Sequence, residues 1–315
     1  MHRRSKGFLG VLLVVTVAQF AAQAQSGSSD SMPLGYREML EVWPQLGFDV
    51  TVLDRHAGAV DGFTKQQMQV DDNDQAVAGF DLVPSGNDPQ SVCIVVDNSG
   101  STYADRDLIR RSVLKLIDDL PAKDEICVIN FSVLAYVDSE LTQDRDKLRA
   151  DIKFMKAYGE SAVYDSLVKT TNYLIRKARF RSRVIVLLSD GDDNKSKMTR
   201  SEMVRALHAP GAPVVYALAN LAAGAHEDYH KKEDESLKML AHETGGVAWF
   251  PKRDIAVDDS VASLIQTLDH RYRLILTTAS ARDGSMHKLR VTLDRGLQKQ
   301  KMTVNATRGF DAALP

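Results

Sequence analysis

The chain has 315 residues, with 40 Lys and Arg against 42 Asp and Glu, a formal net charge of −2. That balance, with no clustered basic face, excludes the footprint of a nucleic-acid binder. The length is enough to bury one large core or two smaller ones.

Residues 1–24 carry Arg3, Arg4 and Lys6, an apolar run from Phe8 to about Phe20, and Ala22-Gln23-Ala24. These are the basic region, apolar region and small-x-small cleavage site of a secretory signal peptide. The apolar run is shorter than the roughly 20 residues a membrane span needs. The mature chain is therefore expected to be exported, periplasmic or extracellular, with no membrane span. Cleavage removes three basic side chains and no acidic one, leaving 37 against 42 and a net charge of −5.

Residues 25–47 read as a linker that opens with QSGSSDS and holds one helical turn before Pro44. Residues 48–89 read as an N-terminal β segment. FDVTVLD, MQVDD and AVAGFDLV supply three short strands, and SGNDP leads out of it.

Over residues 90–269 strands alternate with helices. Val92, Cys93, Ile94, Val95 and Val96 form an unbroken apolar run, which suits a strand covered on both faces. Ile109, Val113, Leu116, Ile117 and Leu120 fall at helical spacing until Pro121 ends the element. Further strands are expected at 125–131, over LAYVDSEL, and at 183–189, 214–219 and 247–250. Helices are expected at 145–155, 163–177, 199–208, 235–243 and 261–268. Repeated units of this kind give an α/β fold, a doubly wound Rossmann-like sheet with helices on both faces. Residues 270–311 return to alternating strands, YRLILTT, MHKLRVTL and KMTVNAT. These are expected to join the N-terminal strands in one small β module flanking the sheet. Cys93 and Cys127 sit inside apolar strands and read as buried free thiols, although export permits a disulfide.

Oxygen-bearing side chains recur where open α/β sheets place their ligands, at the carboxyl ends of strands. Asp97, Ser99 and Ser101 follow the first apolar strand. Ser161 precedes the helix that starts at Val163, and Asp190 follows VIVLLS. Hard oxygen donors without Cys or His suit Mg²⁺ or Mn²⁺. Two carboxylates among several hydroxyls leave such a cation under-neutralised, so that an acidic side chain of a partner completes the shell. Taken alone, Asp97 to Ser101 also suits a plain strand-to-helix turn with a helix cap.

DNSGS resembles the DxSxS motif of von Willebrand factor type A (VWA) domains. GESAVYDSL is similar to their GxTALYDAL-like segment, and LLSDGDDN to the LLTDGxDN-like one. The resemblance implies a VWA domain over residues 90–269 with a metal-ion-dependent adhesion site. Ser99, Ser101 and Ser161 would ligate the ion directly, with Asp97 and Asp190 acting mainly through water. Ser161 stands where the pattern has Thr, keeping the hydroxyl and losing the methyl. Looser flanking motifs, TVLDRHAGAVDGFT before and HRYRLILTT with TVNATRGF after, resemble those of a bacterial exported "VWFA-related" family. The resemblance implies an exported adhesion or scaffold module that captures an Asp or Glu of a protein partner, and no enzyme.

Two hydrolase patterns compete. His226-Glu227-Asp228-Tyr229-His230 is a literal HExxH, which on a helix would bind zinc with Glu227 as base. LAAGA and KKEDES flank it with no apolar helical stripe, and Glu243 is the nearby candidate for a third ligand. A phosphohydrolase built on Asp97 needs a general acid two residues later, where this chain has Ser99.

Overall fold

The computed structural model describes residues 45–152, 158–219, 231–251, 254–278 and 283–312. The first strands are β1 (Gln45–Leu53), β2 (Met68–Asp72), β3 (Gln75–Ala76) and β4 (Phe80–Pro84). The alternating region begins with β5 (Gln90–Asp97), α1 (Arg106–Asp119), β6 (Glu125–Phe131), β7 (Ala135–Thr142) and α2 (Arg145–Asp151). It continues with α3 (Val163–Lys177), β8 (Ser182–Ser189), α4 (Arg200–Leu207), β9 (Val214–Ala219), α5 (Lys231–Thr244), β10 (Ala248–Trp249) and α6 (Asp254–Asp269). The last elements are β11 (Arg271–Thr277), β12 (Met286–Leu293), α7 (Arg295–Lys299), β13 (Thr303–Ala306) and β14 (Gly309–Asp311).

The main sheet has the order β10-β9-β8-β5-β6-β7. Its neighbours are parallel except the edge strand β7, which runs antiparallel to β6. All eight residues of β5 are buried, because helices cover both faces. Alternate side chains serve opposite layers. Val92, Ile94 and Val96 pack with Val113 and Leu116 of α1 and with Val261 and Leu264 of α6. Cys93 and Val95 pack with Leu167 of α3 and with Leu237 and Leu240 of α5. Each such fully buried aliphatic side chain stabilises the fold by about 1.5–3 kcal/mol. The α4 start is fixed by a capping box between Thr199 and Glu202.

Strand order reverses between β5 and β8. The connection from β5 leads to β6 on one side, and the next parallel strand, β8, pairs with β5 on the other. Asp97 and Asp190 thereby share the crevice at the carboxyl edge.

The chain's two end segments pair with each other as a small flanking β module. One antiparallel sheet has the order β13-β1-β11-β4 and the other β14-β12-β2-β3. Both contribute to one core, with Val50, Val52, Leu274, Val70 and Leu289 among its residues. The looser motifs of the two ends meet physically. Asp54 accepts from the His56 and Gly58 N–H groups at 2.7 and 3.0 Å, closing the turn after β1. Phe63 N–H donates to the Tyr272 hydroxyl at 3.1 Å. The fully buried Arg271 ties this module to β5: it donates to Asp49 Oδ2 at 3.2 Å, Gln90 Oε1 at 2.7 Å and the Leu268 carbonyl at 3.0 Å.

Several expectations are corrected. Cys93 and Cys127 are disulfide-bonded rather than free. They are register partners on β5 and β6 with Cα atoms 4.7 Å apart, within bridging reach. The helix over 145–155 stops at Asp151 with Ile152 as its C-cap, and residues 153–157 lie outside the described ones. The N-terminal segment holds a fourth, two-residue strand, β3, and the C-terminal one adds β14 and the short α7. The signal peptide, residues 25–44 of the expected linker and the turn before Pro44 fall outside the described residues, while the linker's last three residues, from Gln45 to Gly47, belong to β1. Among the described residues no helix is long and apolar enough to cross a membrane.

Candidate metal centre at the carboxyl edge of the sheet

Asp97 is the last residue of β5 and is fully buried. Its Oδ1 accepts from the Ser99 N–H at 2.9 Å, the short turn that Asp forms with the backbone two residues on. Its Oδ2 accepts from two hydroxyls, Ser189 Oγ at 2.7 Å and Ser161 Oγ at 3.0 Å. Ser99 Oγ and Ser101 Oγ lie 3.1 Å apart. Thr102 Oγ1 folds the loop back by donating to the Asp97 and Ser99 carbonyls at 3.2 and 2.9 Å. Ser99 is the N-cap of the following 3₁₀ turn, yet its side chain makes no capping bond. A plain capping role therefore does not account for its hydroxyl.

Ser161 is held in place by its backbone. Its N–H donates to Asn194 Oδ1 at 3.0 Å, and its carbonyl accepts from the N–H groups of Asn194 and Lys195. The loop after β8 and the loop before α3 are thus stitched together. The 98–101 turn joins them: Gly100 N–H donates to the Gly159 carbonyl at 2.9 Å, and Tyr158 N–H to the Asn98 carbonyl at 3.2 Å. Asp190 is half-buried, with Oδ1 accepting from the Asp192 N–H at 3.1 Å.

Burial, and next the charge of Asp190, push the Asp97 carboxyl up to about 6, against the hydrogen bonds from Ser99 and Ser189 that favour its anion. Two carboxylates close enough to repel, one of them fully buried, form a site for positive charge.

The structure brings Asp97, Ser99, Ser161 and Asp190 together, with Ser101 beside Ser99. Among the described residues no group of three or more His, Cys, Asp and Glu is gathered to hold a metal. The cluster here is two carboxylates supplemented by hydroxyls, a hard donor set made only of oxygen. Among the described residues the buried Asn98 Nδ2 in the same loop has no hydrogen-bond partner.

Ser189 was not anticipated. It precedes Asp190 in LLSDGDD, and only the pairing of β8 with β5 shows that its hydroxyl meets Asp97. Asp193 and Asp165 of the acid-rich segments have structural work: Asp193 Oδ1 accepts from Ser196 Oγ at 2.6 Å, and Asp165 Oδ1 from the Lys197 and Met198 N–H groups. The His226–His230 motif lies outside the described residues. Glu243, its candidate third ligand, faces His208, with Oε2 at 3.7 Å from Nε2.

Residues 92–192 match the family described as von Willebrand factor type A domain. No curated protein matches the chain. Among solved structures, an aerotolerance-related membrane protein from Bacteroides fragilis is 16% identical, with a TM-score of 0.45, covering 56% of this chain and 98% of its own. The conserved hypothetical protein BatB from Bacteroides thetaiotaomicron is 13% identical at a TM-score of 0.44, over 56% and 98%. A von Willebrand factor type A protein from Catenulispora acidiphila is 11% identical at 0.47, over 84% and 74%.

Proposed function

Since residues 92–192 form a von Willebrand factor type A domain, we propose that this protein is an exported, metal-dependent binding module of the adhesion or scaffold kind rather than an enzyme. Asp97, Ser99, Ser101, Ser161 and Asp190 would hold one Mg²⁺ or Mn²⁺ ion, which when bound supplies a Lewis-acid contact to an Asp or Glu side chain of a protein partner. The observation that carries this reading is the convergence of donors from three separated segments, the Ser99 N–H and the Ser161 and Ser189 hydroxyls, on the buried Asp97 carboxylate.

The chain's own residues do the preparatory work. Ser161 and Ser189 orient Asp97, and the Asn194 contacts fix Ser161, so little rearrangement is needed when a cation enters. Asn98 Nδ2 is a buried donor left for an incoming carboxylate or an ion-bound water to accept from. Hydroxyl donors carry no charge, so the ion keeps positive charge for the partner. Export to an oxidising compartment accords with the Cys93–Cys127 disulfide and with the secretory pattern of residues 1–24.

The test is selection of displayed peptides on immobilised protein. Ligands recovered in Mg²⁺ are expected to contain Asp or Glu and to be released by chelator. Ligands retained in chelator, or held equally by Asp190→Ala, would contradict the reading.

A further inference from the structure

Among the described residues, eight large hydrophobic side chains are exposed, and six of them, Tyr103, Val133, Leu134, Tyr136, Val137 and Tyr158, fall between positions 103 and 158. Scattered exposed apolar residues are ordinary, but a contiguous group marks a contact surface. Four of these six, Tyr103, Val133, Leu134 and Tyr158, lie on loops joined by the same hydrogen bonds that build the candidate metal centre. Tyr103 lies in the turn that follows Ser99 and Ser101, and Tyr158 adjoins Gly159, whose carbonyl accepts from Gly100 N–H. Val133 and Leu134 belong to the loop whose Ser132 carbonyl accepts from Ala162 N–H, directly after Ser161. A Val133 methyl lies 4.0 Å from where a side chain on Gly159 would begin. Tyr136 and Val137 follow on β7, the edge strand of the main sheet, where successive side chains point to opposite faces. Leu134, Tyr136 and Tyr158 are 52%, 51% and 64% exposed.

We infer that Tyr103, Val133, Leu134 and Tyr158 form an apolar collar around the candidate metal centre, and that it selects an extended segment of a protein partner in which one Asp or Glu is flanked by bulky apolar residues. This inference rests on the proposed cation site and specifies its ligand. Two observations fix the occupant's chemistry. Asp97, Ser99 and Ser161 are buried while the collar residues stand out from the surface, so the acid must reach down from a narrow, projecting backbone. The collar side chains are apolar and aromatic and match apolar residues on either side of the acid, while the exposed charges Glu160 and Lys195, next to Ser161, are paired with each other at 2.6 Å. Such a rim also keeps water from the acidic contact, as the occluding ring around an interface hot spot does. Tyrosine suits the role, offering a large rigid apolar surface at low entropic cost. Tyr103 is further fixed by the Arg106 guanidinium, 5.1 Å from its ring centre.

The experiment uses a displayed library of linear peptides of about a dozen residues on the full mature chain, wild type against Leu134→Ser and Tyr158→Ser. Both positions are exposed, so neither change should disturb folding, and calorimetric Mg²⁺ binding by each variant checks this directly. The expected result is Mg²⁺-dependent peptides with apolar residues beside the Asp or Glu, bound at least tenfold more weakly by each variant while Mg²⁺ affinity stays unchanged. Mg²⁺-dependent acidic peptides with polar flanks, bound equally by wild type and variants, would overturn the collar and leave the cation reading standing. Apolar peptides lacking an acid and indifferent to Mg²⁺ would overturn the cation reading and, with it, the acidic occupant proposed here. Recovery of no peptide above background would overturn both.

Discussion

Asp97→Asn in metal-free protein isolates the electrostatics of the crevice. Burial and the nearby Asp190 raise the Asp97 carboxyl to about 6 from an ordinary 3.8. A folded-state pKa above the unfolded one means that folding favours the protonated form. Its stabilisation is complete below pH 3.8 and is lost as pH rises through 6. The full shift is worth about 3 kcal/mol, of which about 1.4 kcal/mol disappears between pH 5 and pH 7.5. Asparagine has the shape of the protonated acid and does not ionise, and the Ser161 and Ser189 hydroxyls can turn to accept from its amide. The stability of Asp97→Asn relative to wild type should therefore rise by about 1.4 kcal/mol over that interval. The assay is urea unfolding in chelator at both pH values, read as the difference between the two proteins so that other titrating groups cancel. A relative stability that stays flat, or falls as pH rises, would refute a raised Asp97 pKa.

Other perturbations reach the scaffold. Arg271→Ala should cost about 3–5 kcal/mol in urea unfolding, because it strips the buried Asp49 and Gln90 of their partner; a loss below about 1 kcal/mol would show that Arg273, which also pairs with Asp49, suffices. Gly86→Ala should destabilise by about 1–3 kcal/mol, since its added carbon would lie 1.7 Å from the Asp269 carbonyl oxygen and one backbone must move; an unchanged unfolding midpoint would contradict that approach. Reducing the Cys93–Cys127 bridge, which spans 34 residues, should lower stability by about 3–4 kcal/mol through the freed unfolded chain. Thiol counting on the denatured, unreduced protein should find no free thiol, and two would contradict the bridge.

The main sheet was legible because its physics is local. A buried strand such as 92–96 must be apolar throughout, and helices packed on it must show the 3.6-residue stripe that runs from Ile109 to Leu120. The positions of Asp97 and Asp190 followed from the same reading, since a strand end facing a crevice is marked by an abrupt change from aliphatic to acidic. What required two chain segments at once was not legible. Cys93 and Cys127 bridge because β5 and β6 pair in one register, and no spacing along the chain encodes register. Ser189 meets Asp97 for the same reason. β14 and α7 were missed because three and five residues are too few to show a period. Leu134 fell at the start of the expected strand LAYVDSEL, and its place beside the candidate centre depends on the bond from Ala162 N–H to the Ser132 carbonyl, a contact between loops distant in sequence.

The most direct measurement is calorimetric titration of chelated protein with Mg²⁺ and Mn²⁺, for wild type, Ser161→Ala and Asp190→Ala. One ion bound per chain by wild type, with affinity at least tenfold lower in both variants, is the predicted result. No binding by wild type, or equal binding by all three proteins, would contradict a cation held among these side chains.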